Sequence, residues 1–287
     1  MAGKNERQRR QAREKHRRQQ ELRTIRQRQV RKRWLTGLSA VTAAGLIAAL
    51  LVVFLPGGSG KDASASASAS KSPSASASAA TVAEPAQHCT YTKASPASKQ
   101  VSMPPATPDY TASYTATIKT NQGPITLNLL NSKATCTVNS FVHLAEAGFF
   151  NNTVCHRMLT SGPYVLQCGD AYATPTAKLD CSTTSDVGNG TPGYQFASEN
   201  LTGAKYPAGT VAMANGSATT NGSQFFIVYQ DSSSTLATTY PPFATVSSGL
   251  DIVQNVAKDG VSCTYPQVGG GVPKKKVIIE SVTIKKT

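Results

Sequence analysis

Residues 35–55, LTGLSAVTAAGLIAALLVVFL, run for 21 positions without a charge. A helix of about 20 apolar residues spans the ~30 Å hydrocarbon core of a bilayer. Nothing adjacent is apolar enough to bury such a helix as a core element. The run is also longer than the roughly 7–15-residue apolar core of a cleaved signal peptide, and it ends in FLPGG without an A-x-A site. One uncleaved transmembrane helix over residues 34–55 is expected, with the Trp34 indole at the interface.

The charge follows this division. The chain carries a net +14, and residues 1–33 hold 14 Lys/Arg against only Glu6, Glu14 and Glu21, while the remaining residues hold 15 Lys/Arg and 12 acids. The high pI therefore belongs to the tail. The positive-inside rule keeps that tail in the cytoplasm and puts everything after Leu55 outside. Anionic lipid headgroups are its expected partner, and no nucleic acid is expected. Alanine, serine and arginine usage suggests a bacterial cell membrane.

Residues 56–112 read as an extracytoplasmic linker. Alternating Ala-Ser offers too little apolar surface to offset chain entropy, and the stretch stays rich in Pro, Ser and Thr to its end. From Ser113 the pattern changes. YTATIKT and PITLNLL alternate apolar and polar around NQG, which predicts a β-hairpin. Val138, Phe141, Val142 and Ala145 share one helical face, with Gly148 as the stop. Short strands are expected at Val154–Leu159, Tyr164–Cys168, Thr210–Ala214, Gln224–Tyr229 and Phe243–Val246. A second helix is expected in GLDIVQNVA and a last strand in KKKVIIESVTIKK. This is the pattern of a single β-barrel or sandwich domain with capping helices over residues 113–287.

Six cysteines, all after the apolar run, fit disulfides in an oxidising compartment. Six allow 15 pairings. Cys168 and Cys181 flank one loop and are the first candidate pair. No C-x-x-C occurs, so no zinc or other metal is expected. GNGTPG at Gly188–Gly193 matches G-x-G-x-x-G, but polar loop residues precede it and YQFASEN follows. It lacks the strand-before, helix-after setting of a dinucleotide site and reads as a glycine loop. No G-x-S-x-G nucleophile motif is present.

Eleven of the twelve arginines lie at or before Arg33; the twelfth is Arg157, within VCHRMLTSGPYVLQCGD at Val154–Asp170. Two further islands are GTVAMANGSATTNGSQFFIVY at Gly209–Tyr229 and TLATTYPPFATV at Thr235–Val246. From about Tyr114 to Lys286 these islands, with SENL at Ser198–Leu201, resemble the cyclophilin family of peptidyl-prolyl cis-trans isomerases. MAN…NGSQFFI is the long match, and HR…QxGD precedes it at the right distance.

The resemblance implies a mostly β fold: a closed eight-stranded antiparallel β-barrel with two capping α-helices, here preceded by the transmembrane helix. It also implies rotamase activity, no cofactor, proline-containing polypeptides as partners and a monomer. Arg157 falls at the catalytic arginine and Gln167 at the active-site glutamine. The substrate-binding positions are His156, Tyr164 (usually Phe), Val165 (usually Met), Ala214, Asn215, Gln224, Phe226, Leu236 and Tyr240 (usually His). Departures are the enlarged turn at Thr160–Pro163, Cys168 for a glycine, Gly216 for an alanine and Thr235 for a tryptophan. The last implies reduced cyclosporin binding.

The residue types suit that chemistry. Rotation about X-Pro meets a barrier of about 18–20 kcal/mol from amide resonance, and no bond is made or broken. A pocket of Phe226, Val165, Leu236 and Tyr164 can grip the ring, and Arg157 can favour the twisted amide. Gln167 can orient the guanidinium, and Asn215 can pin the chain beside the proline. His156 is expected as a packed, hydrogen-bonded support beside Arg157. The alternatives from other classes are a proline-peptide binding module tethered at the membrane and a structural envelope protein.

Overall fold

The structure is a computed structural model and describes residues 86–182, 186–215, 219–266 and 268–287. The expected basic tail, the transmembrane helix and residues 56–85 of the expected linker lie outside the described residues. Among the described residues no helix is long and apolar enough to cross a membrane.

The elements are β1 (Thr92–Lys93), β2 (Tyr114–Thr120), β3 (Gly123–Leu129), α1 (Thr135–Glu146), β4 (Thr153–Val154), β5 (Arg157–Leu159) and β6 (Val165–Cys168). There follow β7 (Tyr194–Ala197), β8 (Thr210–Met213), β9 (Thr220–Asn221), β10 (Phe225–Val228) and β11 (Pro242–Ser248). The chain ends with α2 (Leu250–Lys258), β12 (Val261–Thr264), β13 (Gly271–Pro273) and β14 (Ile278–Lys286). The predicted hairpin forms: β2 and β3 pair from Tyr114↔Leu129 to Thr120↔Gly123 across Asn121-Gln122. Its alternation puts Ala116, Ile118, Ile125 and Leu127 into the core, as period 2 requires.

The main sheet is antiparallel in the order β12-β13-β5-β6-β10-β8-β11-β3-β2-β14-β4. This corrects the expectation of a closed eight-stranded barrel, because among the described residues no ladder joins the two ends of the order. The expected strand Val154–Leu159 breaks at Cys155-His156. Its first part pairs with β14 and its second with β6, so the chain itself links β4, at one end of the order, to β5, which lies inside β13 and β12 at the other. Setting aside β4, β12 and β13 leaves eight strands in one unbroken row.

α1 buries Val138, Phe141 and Leu144. Phe141 meets Phe243 at 5.2 Å and Phe225 at 5.6 Å between ring centroids, and Phe150 meets Phe225 at 5.7 Å. The helix's first turn carries no acid of its own. Glu199 supplies one from the SENL segment: its carboxylate accepts from the Cys136 and Thr137 N–H groups (3.1 and 2.7 Å). That satisfies donors every helix start leaves orphaned and places an anion at the positive end of the dipole.

The described end of the expected linker is held against the domain. β1 pairs with β7, Cys89 is bonded to Cys136, and Tyr91 stacks edge-on with Tyr194 and Phe196 at 5.6 and 5.7 Å. Composition hid this because two paired residues and one disulfide suffice to dock an otherwise polar segment. The other bridges are Cys155–Cys168 and Cys181–Cys263. The candidate pair Cys168–Cys181 is therefore not formed. Cys168 lies across from the β4–β5 break and takes Cys155, while Cys181 reaches β12.

Candidate functional site

The site lies on the solvent-side face of β5, β6, β10 and β8. Arg157 is in register with Gln167, Gln167 with Phe226, and Phe226 with Ala212. Residues directly opposite share a face, so these four form one row across four strands. Period-2 alternation then separates two apolar clusters. Met158, Leu166, Phe225 and Ile227 point into the main core. Val165, Ala212, Phe226 and Val228 join Tyr206 in a smaller cluster on the other face, edged by Leu159, Ala204, Ala214, Leu236 and Tyr240. Tyr240 stands edge-on to Phe226, with centroids 5.4 Å apart. The buried Tyr206 hydroxyl donates toward the Ala237 and Tyr240 carbonyls, both at 3.0 Å, and Asn215 Nδ2 donates to the Thr239 carbonyl at 2.8 Å. Both therefore hold the segment that carries Leu236 and Tyr240.

A polar relay runs along the groove. Arg157 Nη1 donates to Gln167 Oε1 (3.0 Å), and Gln167 Nε2 donates to Gln224 Oε1 (2.9 Å). Gln224 Nε2 donates to the Gly188 and Gly190 carbonyls, each at 3.1 Å. A guanidinium only donates and a backbone carbonyl only accepts, so both amide orientations are set by the ends of the relay. The glycine loop is held in turn by Asp170, which is fully buried. Its carboxylate accepts from the N–H groups of Tyr172 (2.7 Å), Gly188 (2.5 Å) and Gly190 (3.3 Å). Gly190 has to be glycine, since a Cβ there would lie 1.8 Å from Asp170 Oδ1. GNGTPG is followed by β7, not a helix, so it has no dinucleotide-binding geometry.

Arg157 is only partly buried, yet desolvation lowers its pKa, against small opposing effects of Tyr240 and Tyr265. Its Nε donates to the Gly269 carbonyl at 2.9 Å and its Nη2 to the Val268 carbonyl. A guanidinium has five N–H donors. The three bonds to Gly269, Val268 and Gln167 leave one on each terminal nitrogen for a substrate.

Two expected site residues stand elsewhere. Tyr164 packs against the main core and on Tyr229 (5.9 Å, edge-on). It lines a separate cleft of about 520 Å³ with Thr160, Gln254 and Lys258, because it is one residue out of phase with Val165 and Gln167. His156 is 2 % exposed and both ring nitrogens lack a hydrogen-bond partner, so it cannot touch a peptide. Burial lowers its pKa to about 4; Asp170 acts upward and Arg157 downward. The folded state thus binds fewer protons than the unfolded one between the ordinary value near ~6.5 and about 4. Stability is expected to fall as pH drops through that window, by roughly 3 kcal/mol at its lower end. Urea midpoints at the window's two ends check this. His156→Met should flatten the difference, and an equally steep loss in the variant would assign it to other groups.

Sequence reasoning missed Tyr206, Ala212 and Val228 in the pocket, and the Val268–Gly269 carbonyls on Arg157. Alternation around Phe226 signals Ala212 and Val228; Tyr206 and the carbonyls carry no local signal.

One face of an antiparallel sheet thus carries one arginine, two glutamines and an apolar cluster floored by Phe226. Residues 115–284 match the family described as cyclophilin type peptidyl-prolyl cis-trans isomerase/CLD, and the chain belongs to that family. It is 42% identical over 216 residues to a protein of Mycobacterium leprae named probable peptidyl-prolyl cis-trans isomerase B, covering 69% of this chain and 66% of that one. The protein of the same name from Mycobacterium tuberculosis is 42% identical over 190 residues, covering 60% and 55%. The aligned part thus spans less than two thirds of each relative. The crystal structure of a cyclophilin type peptidyl-prolyl cis-trans isomerase from Cryptosporidium parvum superposes with a TM-score of 0.50 at 24% identity, over 61% of this chain and 99% of that one. It shares the fold.

Proposed function

We propose that the chain is a peptidyl-prolyl cis-trans isomerase that assists folding of secreted or envelope proteins. It is anchored in a bacterial membrane by residues 34–55, with the domain outside and the basic tail on anionic headgroups in the cytoplasm. The observation that carries the activity is the register row Arg157–Gln167–Phe226, which sets a donor beside an apolar pocket. Three disulfides favour the oxidising side of the membrane.

The chemistry needs no nucleophile. Phe226, Val165, Leu236 and Tyr240 surround the proline ring. As the amide twists, resonance is lost and the nitrogen regains its lone pair. The free N–H groups of Arg157 can donate to that nitrogen or to the rotating carbonyl, and they bind the twisted form better than either planar one. Only such differential binding speeds the step.

The test is a protease-coupled isomerisation assay on an X-Pro peptide. It is run on the detergent-solubilised full chain and on membrane and soluble fractions of the cells that make it. Catalysis that sediments with membranes is the expected result. Proline-peptide binding without catalysis would leave a tethered binding module, and catalysis in the soluble fraction alone would remove the anchor.

A further inference from the structure

The hairpin β12–β13 lies beyond β5 at the end of the main sheet, and its turn reaches back over the site. Its hold on the sheet is narrow. β13 meets β5 at one register pair, Gly271↔Met158, where Gly270 comes so near that a Cβ would lie 2.6 Å from the Met158 carbonyl oxygen. Two tethers supplement that pair. The Cys181–Cys263 disulfide ties β12 to the loop that follows Asp170, and the Tyr265 hydroxyl donates to the His156 carbonyl at 3.3 Å. The turn is closed on itself: the Tyr265 N–H donates to the Gly270 carbonyl and the Gly269 N–H to the Tyr265 carbonyl. What this turn offers the groove is two carbonyl oxygens, and both accept from Arg157.

We infer that the β12–β13 hairpin is a positioning element for Arg157: the carbonyls of Val268 and Gly269, with Gln167, hold the guanidinium so that its remaining donors face the groove. This rests on the isomerase reading. Gln167 alone makes one bond, about which the guanidinium can still turn. Acceptors on Nε and Nη2 fix its plane. A long, rotamer-rich side chain held in one orientation before substrate arrives loses less freedom on reaching the twisted amide.

Gly269 allows a clean test, because its φ is +65° and a Cβ there would meet nothing within 4 Å. Gly269→Val therefore opposes the backbone conformation without a collision. Gly269→Asn tolerates it. In the full chain, Gly269→Val is expected to lower kcat about tenfold, with KM within about twofold because the pocket is untouched. Gly269→Asn should recover most of that loss, and melting temperatures should stay close to wild type. Cys181→Ser combined with Cys263→Ser should act in the same direction by freeing β12.

The Arg157 Nε–H resonance, assigned by its disappearance in Arg157→Lys, gives a readout independent of turnover. Its exchange with water should be slower in wild type than in Gly269→Val. Equal exchange in the two would overturn the inference, as would faster exchange in the variant with unchanged kcat, or a lower kcat accompanied by a raised KM and a lowered melting temperature. If the wild type shows no isomerisation, the activity reading fails, while the exchange rates still decide whether the hairpin holds Arg157.

Discussion

Arg157→Ala is expected to lower kcat/KM for an X-Pro peptide by about 10²–10³-fold, the usual cost of removing one preorganised donor from a developing charge. Several features place the loss in the chemical step. The guanidinium is not part of either apolar cluster, so truncation leaves the pocket of Phe226, Val165 and Ala212 intact. The bonds to Val268 and Gly269 lie in exposed surroundings, so water can replace the lost donors at their carbonyls. Folding should therefore change little, and KM less than kcat. Arg157→Lys should recover only a small part of the rate. An ammonium has the charge but not the planar fork that bonds two carbonyls and a glutamine while presenting further donors. Coupled isomerisation assays with matched melting curves check this. Catalysis within a few-fold of wild type in the alanine variant would remove Arg157 from the mechanism.

The site residues were legible through the resemblance to the cyclophilin motifs, and alternation explains why they share a face. Once the strands around Arg157, Gln167 and Phe226 are paired in antiparallel register, period 2 sends Leu166 and Phe225 one way and their neighbours the other. The β2–β3 hairpin and the α1 face were readable for the same local reason. His156 and Tyr164 show the limit of positional carry-over. Each is adjacent to a groove residue and so belongs to the opposite side of the strand or to its end. Cys168, where glycine is usual, makes sense only with Cys155, its partner across the β4–β5 break. The hairpin β12–β13 was not legible. Its strands of four and three residues are too short to show a period, and VSCTYPQVGGGVP reads as loop. Closure failed as an expectation because nothing in Val154–Leu159 marks the break at Cys155-His156.

Asp170→Ala tests how far the polar relay depends on a residue that never meets substrate. The fully buried carboxylate is the acceptor for three backbone N–H groups. Its removal orphans all three, at about 1–3 kcal/mol for each that water does not reach. A total loss of about 3–5 kcal/mol is expected, since part of the loop can hydrate. The loop it releases carries the two carbonyls that hold Gln224, and through Gln224 and Gln167 the strain reaches Arg157. Activity should fall less than in Arg157→Ala, because the hairpin carbonyls still hold the guanidinium. Asp170→Asn keeps the shape but turns an amide donor toward one set of N–H groups, so it should lie between alanine and wild type in urea titrations. A loss below about 0.5 kcal/mol, the range of ordinary surface changes, would show that the glycine loop holds itself. The carboxylate also raises the pKa of His156. Without it the imidazole resists protonation further, and the acid-sensitive window should extend to lower pH in both Asp170→Ala and Asp170→Asn, since each removes the negative charge.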